Sequence, residues 1–277
     1  MRKKTTKISK VALYAALSIV SFIFLIPLYY TVVNSLRPVL GMPVVFPKSV
    51  ELTNYYYAVT LIPFWNYLKN SLIIVAITVT MGVFLNFLYS YVFARLRARG
   101  KNIIFMLTLA QMMIPSFAVM VPQYVFFSDL GLRNSWWIYV LLCLPGDPYV
   151  IFLYRQYMRK IPKDIEEAAI IDGCGYFSII SQILFPLCKS VVAIVLFNCF
   201  VANWGDYMKP FMYFTDDKYP LALALFGAKY AFPQAPNQQL EPVVLAAALL
   251  MMLPVLVLFF FCQKQLVEGT MLGAVKG

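Results

Sequence analysis

The stretch from Glu166 to Ser190, EEAAIIDGCGYFSIISQILFPLCKS, gathers carboxylates and glycines in an otherwise apolar chain. It offers acids and no histidine, so the chemistry open to it is recognition: charge-assisted hydrogen bonds to basic groups on another protein. Asp164 just upstream is a good helix N-cap, and Glu167 falls three residues after it, the spacing of a capping box. Acidic side chains in that first turn also suit the positive end of the helix dipole. Gly173 and Gly175 are expected to break the helix, because glycine accepts φ > 0 at little cost. A second short helix is predicted from Tyr176 to about Phe185, with Phe177, Ile180, Ile183 and Leu184 on one apolar face. Pro186 ends it or opens the next membrane segment. Helix, glycine elbow and helix make an element shaped to be gripped by a partner.

Other polar residues stand alone inside apolar runs. Asp147 lies in Pro145-Gly146-Asp147-Pro148, where two prolines remove backbone donors and strain any helix. A carboxylate facing lipid is costly, so Asp147 is expected at a kink, facing the protein interior. There it either binds a polar solute or its partner, or simply holds the kink with a hydrogen bond. Asn86, Gln111 and Asn198 allow the same two readings, lining a polar path or bonding helix to helix. Enzymatic chemistry finds little support. The chain has no histidine, the usual metal ligand and acid–base group near neutral pH. Its five cysteines, Cys143, Cys174, Cys188, Cys199 and Cys262, form no C-x-x-C pair and read as small buried hydrophobes. No G-x-x-x-x-G-K-[ST] loop occurs to cradle a nucleotide.

The elements that must position these residues follow from composition. Of 277 residues, 62% are hydrophobic, against about 45–50% in soluble domains, and mean hydropathy is +0.76. This is an all-α polytopic membrane protein by composition, and its net charge of +11 matters by location rather than by sum. The lipid bilayer, not nucleic acid, is the surface it meets. Six spans are expected: about residues 11–33, 68–93, 103–127 (kinked at Pro115 and Pro122), 136–154 (interrupted at Asp147), 187–204 and 243–262. At about 1.5 Å per residue each such run can cross a ~30 Å hydrocarbon layer. The first run lacks a small-residue cleavage site and is read as a span rather than a removed leader. Most of the 23 Lys and Arg residues then fall on one side, with Arg2, Lys3, Lys4, Lys7 and Lys10 at the start and Arg95, Arg97, Arg99 and Lys101 after the second span. The positive-inside rule places both termini and the 155–190 loop in the cytoplasm, with 205–241 outside and 263–277 as a polar cytoplasmic tail. Aromatics of the outer loop (Phe211, Tyr213, Phe214, Tyr219, Tyr230, Phe232) and Trp204 serve as interface anchors or as contacts for a partner or solute.

The 166–190 stretch resembles the cytoplasmic coupling loop of ABC importer permeases, whose pattern is E-A-A, three residues, G, nine residues, I-x-x-P. Glu167-Ala168-Ala169, Asp172, Gly173, Ile183 and Pro186 stand at matching positions, while Cys174, Ile180 and Ser190 depart from it. Further segments resemble the carbohydrate-uptake branch of the maltose-transporter type: Gln111-Met112-Met113-Ile114-Pro115, Gly131-Leu132-Arg133-Asn134-Ser135, Asn203-Trp204-Gly205-Asp206-Tyr207, and the ending Gly273-Ala274-Val275-Lys276-Gly277. The likeness covers roughly residues 65–277 of what is expected to be a single permease domain, 1–277. It implies an importer in the bacterial cytoplasmic membrane built from two permeases, two cytoplasmic ATPase subunits and an external sugar-binding protein. ATP and magnesium would belong to the ATPase subunits, and this chain would hold no cofactor. Glu167, Ala168, Ala169, Asp172 and Gly173 would meet the ATPase, as would Gly273, Val275, Lys276 and Gly277 of the tail. Asp147, Gln111 and Asn198 are the candidates for the translocation path. Glu167 can serve as both helix cap and coupling residue.

Two other classes fit the sequence less well. A secondary transporter driven by an ion gradient calls for repeated halves and several intramembrane acids, whereas only Asp147 is seen and no repeat is evident. A membrane-embedded enzyme needs a nucleophile–base pair or a metal cluster, which the spans do not offer.

Overall fold

The structure is a computed structural model that describes residues 7–227, 231–232 and 235–274. In chain order the helices are α1 (Lys7–Ser35), α2 (Thr53–Thr60), α3 (Phe64–Ala94), α4 (Lys101–Ala110), α5 (Ser116–Asp129), α6 (Trp137–Cys143), α7 (Pro148–Met158) and α8 (Asp164–Ile171). Then follow α9 (Tyr176–Ser178), a π-helical turn (Ile179–Leu184), α10 (Phe185–Leu187), α11 (Lys189–Trp204), α12 (Met208–Tyr213), α13 (Leu221–Phe226) and α14 (Glu241–Ala274). Strands β1 (Ala231–Phe232) and β2 (Ala235–Gln239) pair antiparallel, so the chain departs from the all-α expectation by one small hairpin. Chain contacts divide the molecule into two compact units, Met1–Trp65 with Gly227–Met252, and Asn66–Phe226 with Leu253–Gly277.

Among the described residues three helices are long and apolar enough to cross a membrane unbroken: Lys10–Ser35, Phe64–Ala94 and Glu241–Val267. Three further crossings are bent pairs, which brings the total to six when each pair counts as one span. Proline explains the first two bends. Ile114 precedes Pro115 and is pushed to extended backbone (φ −82, ψ 120), as the proline ring demands of its neighbour. The halves Lys101–Met113 and Ser116–Asp129 then diverge by 100°, far more than a kink. Pro122, expected to kink the same span, sits inside unbroken α5. Trp137–Cys143 and Pro148–Met158 diverge by 48° across the Pro145–Pro148 segment, where the sequence indicates a kink. The third bend, 83°, falls at Cys188, so α11 begins at Lys189 rather than at Leu187. α14 runs on past Cys262 into the 263–277 tail as one helix to Ala274, and Val275, Lys276 and Gly277 lie outside the described residues.

In the first unit a polar network ties the end of α1 to the segment after it. Asn54 of α2 is buried and donates to the carbonyls of Ser35 and Arg37, both at 2.8 Å. Asn34 binds residue Val44 twice, accepting from its N–H at 2.9 Å and donating to its carbonyl at 3.0 Å. Arg37, nearly fully buried, pairs with Glu241 at the start of α14. These contacts satisfy the last carbonyls of α1, which have no partner within the helix. Removing the Asn54 amide leaves buried carbonyls unpaired, so Asn54→Leu should lower the stability of the purified protein by about 1–3 kcal/mol. A thermal melt in detergent checks this, and an unchanged midpoint would mean the network is not structural.

Candidate functional site

The second unit has one apolar core at the end that carries the 155–190 loop. Val83, Phe87 and Tyr91 of α3, Val150, Tyr154 and Met158 of α7, Leu184 of the π turn and Val191 and Val195 of α11 pack together. Phe87 meets Tyr154 edge-on at 5.2 Å and Phe185 at 5.1 Å. α8 lays a narrow stripe on this core, formed by Ala169 and Glu166 at i, i+3 spacing. Ala169 is buried in this core, where α8 packs against the π turn. Glu167, Ala168, Asp172 and Gly173 are exposed, as are Ile171 and Phe177.

Local capping differs from the sequence expectation. α8 starts at Asp164, whose side chain caps nothing; the carbonyl of Lys163 accepts from the N–H groups of Glu166 and Glu167 instead. No capping box forms, and Asp164, Glu166 and Glu167 act on the helix as first-turn charges. The other end matches the reading of Gly173. It adopts φ +84, with Gly173 N–H donating to the carbonyl of Ile170 and Cys174 N–H to that of Ala169, the paired bonds of a Schellman cap. Gly175, by contrast, is extended (φ −75, ψ 162) and uses none of glycine's freedom.

The acid that α8 buries is Glu166, which the sequence reading passed over for Glu167. Its Oε1 lies 2.6 Å from Nε of Arg95, at the end of α3. The two meet as ions without the straight N–H···O alignment of a hydrogen bond. Arg95 also donates to the carbonyl of Ile161 at 2.9 Å, just before α8. Burial pushes the Glu166 carboxyl above its ordinary value, and the Arg95 and Lys163 charges pull it back. Beside the pair is an open cavity of about 850 Å³, lined among others by Tyr91, Arg95, Arg97, Lys163 and Glu167.

A second cavity of about 640 Å³ lies where the spans break. It brings together Gln111, in a 3₁₀ turn before the 100° bend, and Asp147, with Thr78, Asn86, Gln123, Asn203 and Lys209. Asn198 does not line it; its side chain is exposed on α11. Asp147 caps α7: one carboxylate oxygen accepts from the N–H groups of Tyr149 (2.8 Å) and Val150 (3.3 Å). Its own N–H donates to Oδ1 of Asn86 at 2.7 Å. Tyr89 donates to the carbonyl of Leu144 at 2.7 Å, and the Ser90 hydroxyl lies between the carbonyls of Asn86 and Ile151. So Asn86 bonds helix to helix, while Asp147 holds the kink and still faces the cavity. Gln123 and Lys209 were missed from sequence. Gln123 alone breaks the apolar run after Pro122, which was its signal. Lys209 is paired with Asp206 at 2.9 Å. Among the described residues no group of three or more His, Cys, Asp or Glu is placed to hold a metal.

Broken apolar spans around a polar cavity, with an exposed helical loop beside them, define a multi-pass membrane permease. Residues 79–270 match the family described as binding-protein-dependent transport system inner membrane component. The chain belongs to that family, as an ABC importer permease of the carbohydrate-uptake branch. It is 32% identical to the melibiose/raffinose/stachyose import permease protein MelC of Bacillus subtilis (strain 168), over the full length of both chains. It is 27% identical to the arabinooligosaccharides transport system permease protein AraQ of Halalkalibacterium halodurans, again over 100% of each. Its fold matches a chain of a bacterial ABC transporter involved in the import of the acidic polysaccharide alginate, with TM-score 0.81 and 21% identity over 95% of this chain and 98% of that one.

The two special glycines should respond differently to substitution. A Cβ on Gly173 meets nothing within 4 Å, so only its positive φ opposes a side chain. A Cβ on Gly146 (φ +79) would come within 2.8 Å of Asn86 Oδ1 and 2.9 Å of the Tyr89 ring. Asparagine tolerates the left-handed region, and other residues pay ~1–2 kcal/mol there. Gly173→Asn should therefore keep near-native stability and Gly173→Val should lose about 1–2 kcal/mol or more. Gly146→Asn should be badly destabilised. Folded yield and thermal midpoint after membrane extraction check this, and equal tolerance at both positions would contradict it.

Proposed function

We propose that this chain is one of two permeases of an ATP-driven importer of an oligosaccharide in the bacterial cytoplasmic membrane. Family membership and the single observation of α8 carry the reading: a short acidic helix, clamped to the core on one stripe, turns the remaining face outward. That face offers Glu167, Ala168, Asp172 and Gly173, flanked by exposed Ile171 and Phe177, and suits a cleft with basic and apolar walls on an ATPase subunit. Ala169, buried in the core, acts from behind by seating α8. Both termini and this loop lie in the cytoplasm by the positive-inside rule. Gly273, Val275, Lys276 and Gly277 form a further ATPase contact, to which α14 leads. ATP and magnesium are held by the two ATPase subunits, and this chain supplies no catalytic group.

The cavity at the span breaks is this subunit's share of the translocation path. Gln111, Gln123 and Asn203 offer amides, and Asp147 offers carboxylate acceptors, to sugar hydroxyls passing between this chain and the second permease. Asn198, exposed on α11, serves the path where it meets that partner. Sugar arrives on an external binding protein, a reading supported by the family's description as binding-protein-dependent. The relatives named for melibiose, raffinose, stachyose and arabinooligosaccharides point to oligosaccharides as the cargo class.

The expected test is uptake of labelled oligosaccharides by vesicles containing both permeases, the ATPase subunits and the binding protein. Uptake should require ATP and every subunit, and the permease chain alone should neither hydrolyse ATP nor transport. Glu167→Ala should cut uptake at least several-fold at normal insertion. ATP-driven transport by this chain alone, or ion-driven uptake without ATP, would overturn the reading.

A further inference from the structure

The two candidate regions of the second unit are joined by one helix. α3 ends in Arg95, which meets Glu166 of α8 at 2.6 Å and the Ile161 carbonyl at 2.9 Å. Nine residues earlier, about 14 Å along a helix at 1.5 Å per residue, Asn86 accepts the Asp147 N–H at 2.7 Å and sits in the cavity wall. Between them Phe87, Ser90 and Tyr91 are buried, Phe87 and Tyr91 in the core that α7 and the π turn share. Arg155 of α7 strengthens the same end, donating to the carbonyl of Phe93 at 3.2 Å and stacking over Phe105 at 4.1 Å. The two side chains are largely buried at the wall of the 850 Å³ cavity, so separating them would leave a mostly desolvated charge without its partner. Glu166 is also turned away from the face offered to the ATPase, so its charge serves the interior.

We propose that Arg95 and Glu166 are positioning residues for coupling: their ion pair makes α8 and α3 move as one body, so that displacement of α8 is delivered through Asn86 to Asp147 and the cavity. The proposal rests on the reading of α8 as the ATPase-docking helix. It adds a residue pair that neither touches sugar nor meets the ATPase, and assigns α3 the transmitting role. The pair acts through geometry, with no proton or bond exchanged.

The test uses the complete importer in vesicles and reads sugar moved per ATP hydrolysed. Glu166→Gln keeps side-chain shape and removes the ionic hold. It should leave assembly intact and lower that ratio at least five-fold, because ATP is spent without moving the cavity. A purely structural role would reduce assembly and leave the ratio in assembled complexes unchanged. Exchange of the pair, Arg95→Glu with Glu166→Arg, should recover the ratio to within about three-fold of wild type. Losses that simply combine in an assembled double variant would overturn the proposal, as would a wild-type ratio for Glu166→Gln. Should the exchanged pair fail to assemble, Arg95→Lys decides: the charge remains but the guanidinium fork that spans Glu166 and Ile161 is gone. A lowered ratio then supports the pair, and an unchanged one refutes it. A wild-type importer that transports without ATP would refute the importer reading itself, whatever the variants do.

Discussion

A helix broken inside a bilayer leaves amides and carbonyls that lipid cannot satisfy, and the second unit depends on α3 to satisfy them. The segment Pro145–Pro148 opens a polar gap between α6 and α7, and Asn86, Tyr89 and Ser90 fill it from one face of α3. The remaining need is met by Asp147 itself, which caps the helix it begins. An irregular backbone is thereby tolerated beside a cavity of about 640 Å³, and a transport path needs such a place. Without those α3 side chains, straightening the span or exposing polar backbone to lipid would each cost several kcal/mol.

Charge does the comparable work at the other end of α3. Arg95 offsets part of the cost of burying Glu166, and Glu166 part of that of burying Arg95. The neighbouring Glu167 is left free in solvent on the outward face. Two adjacent carboxylates thus have separate duties because successive residues of a helix point about 100° apart. The Schellman cap at Gly173 then stops α8 after two turns and turns the chain into α9 and the π turn. That π turn ends two residues before Pro186, whose missing N–H removes a bond from the regular ladder.

Much of this was legible in the sequence, for identifiable reasons. Apolar runs register without knowledge of neighbours, so the crossings stand close to where hydropathy puts them. Gly173 was legible because a left-handed cap has few substitutes, and the gap at Asp147 because two prolines allow no regular helix. The size of the bend at Pro115 was not, since it depends on packing around the break rather than on the proline. Gly175 carries the same letter as Gly173 but an ordinary conformation. The choice between Glu166 and Glu167 depends on which side of α8 meets α3, and Arg95, the deciding group, lies far up the chain in a basic cluster that reads as a topology signal. Asn86 could have lined a path or bonded helices until the Asp147 N–H was seen against it.

The central claim is that α8 and α3 form one mechanical body linking the ATPase face to the cavity. Structures of the assembled importer with and without bound nucleotide test it most directly. The account predicts that α3 and α8 superpose together between the two states, with Arg95 and Glu166 within ~4 Å in both, while the cavity changes its openness to either side. A shift of α8 against a stationary α3, with the ion pair broken in one state, would contradict it.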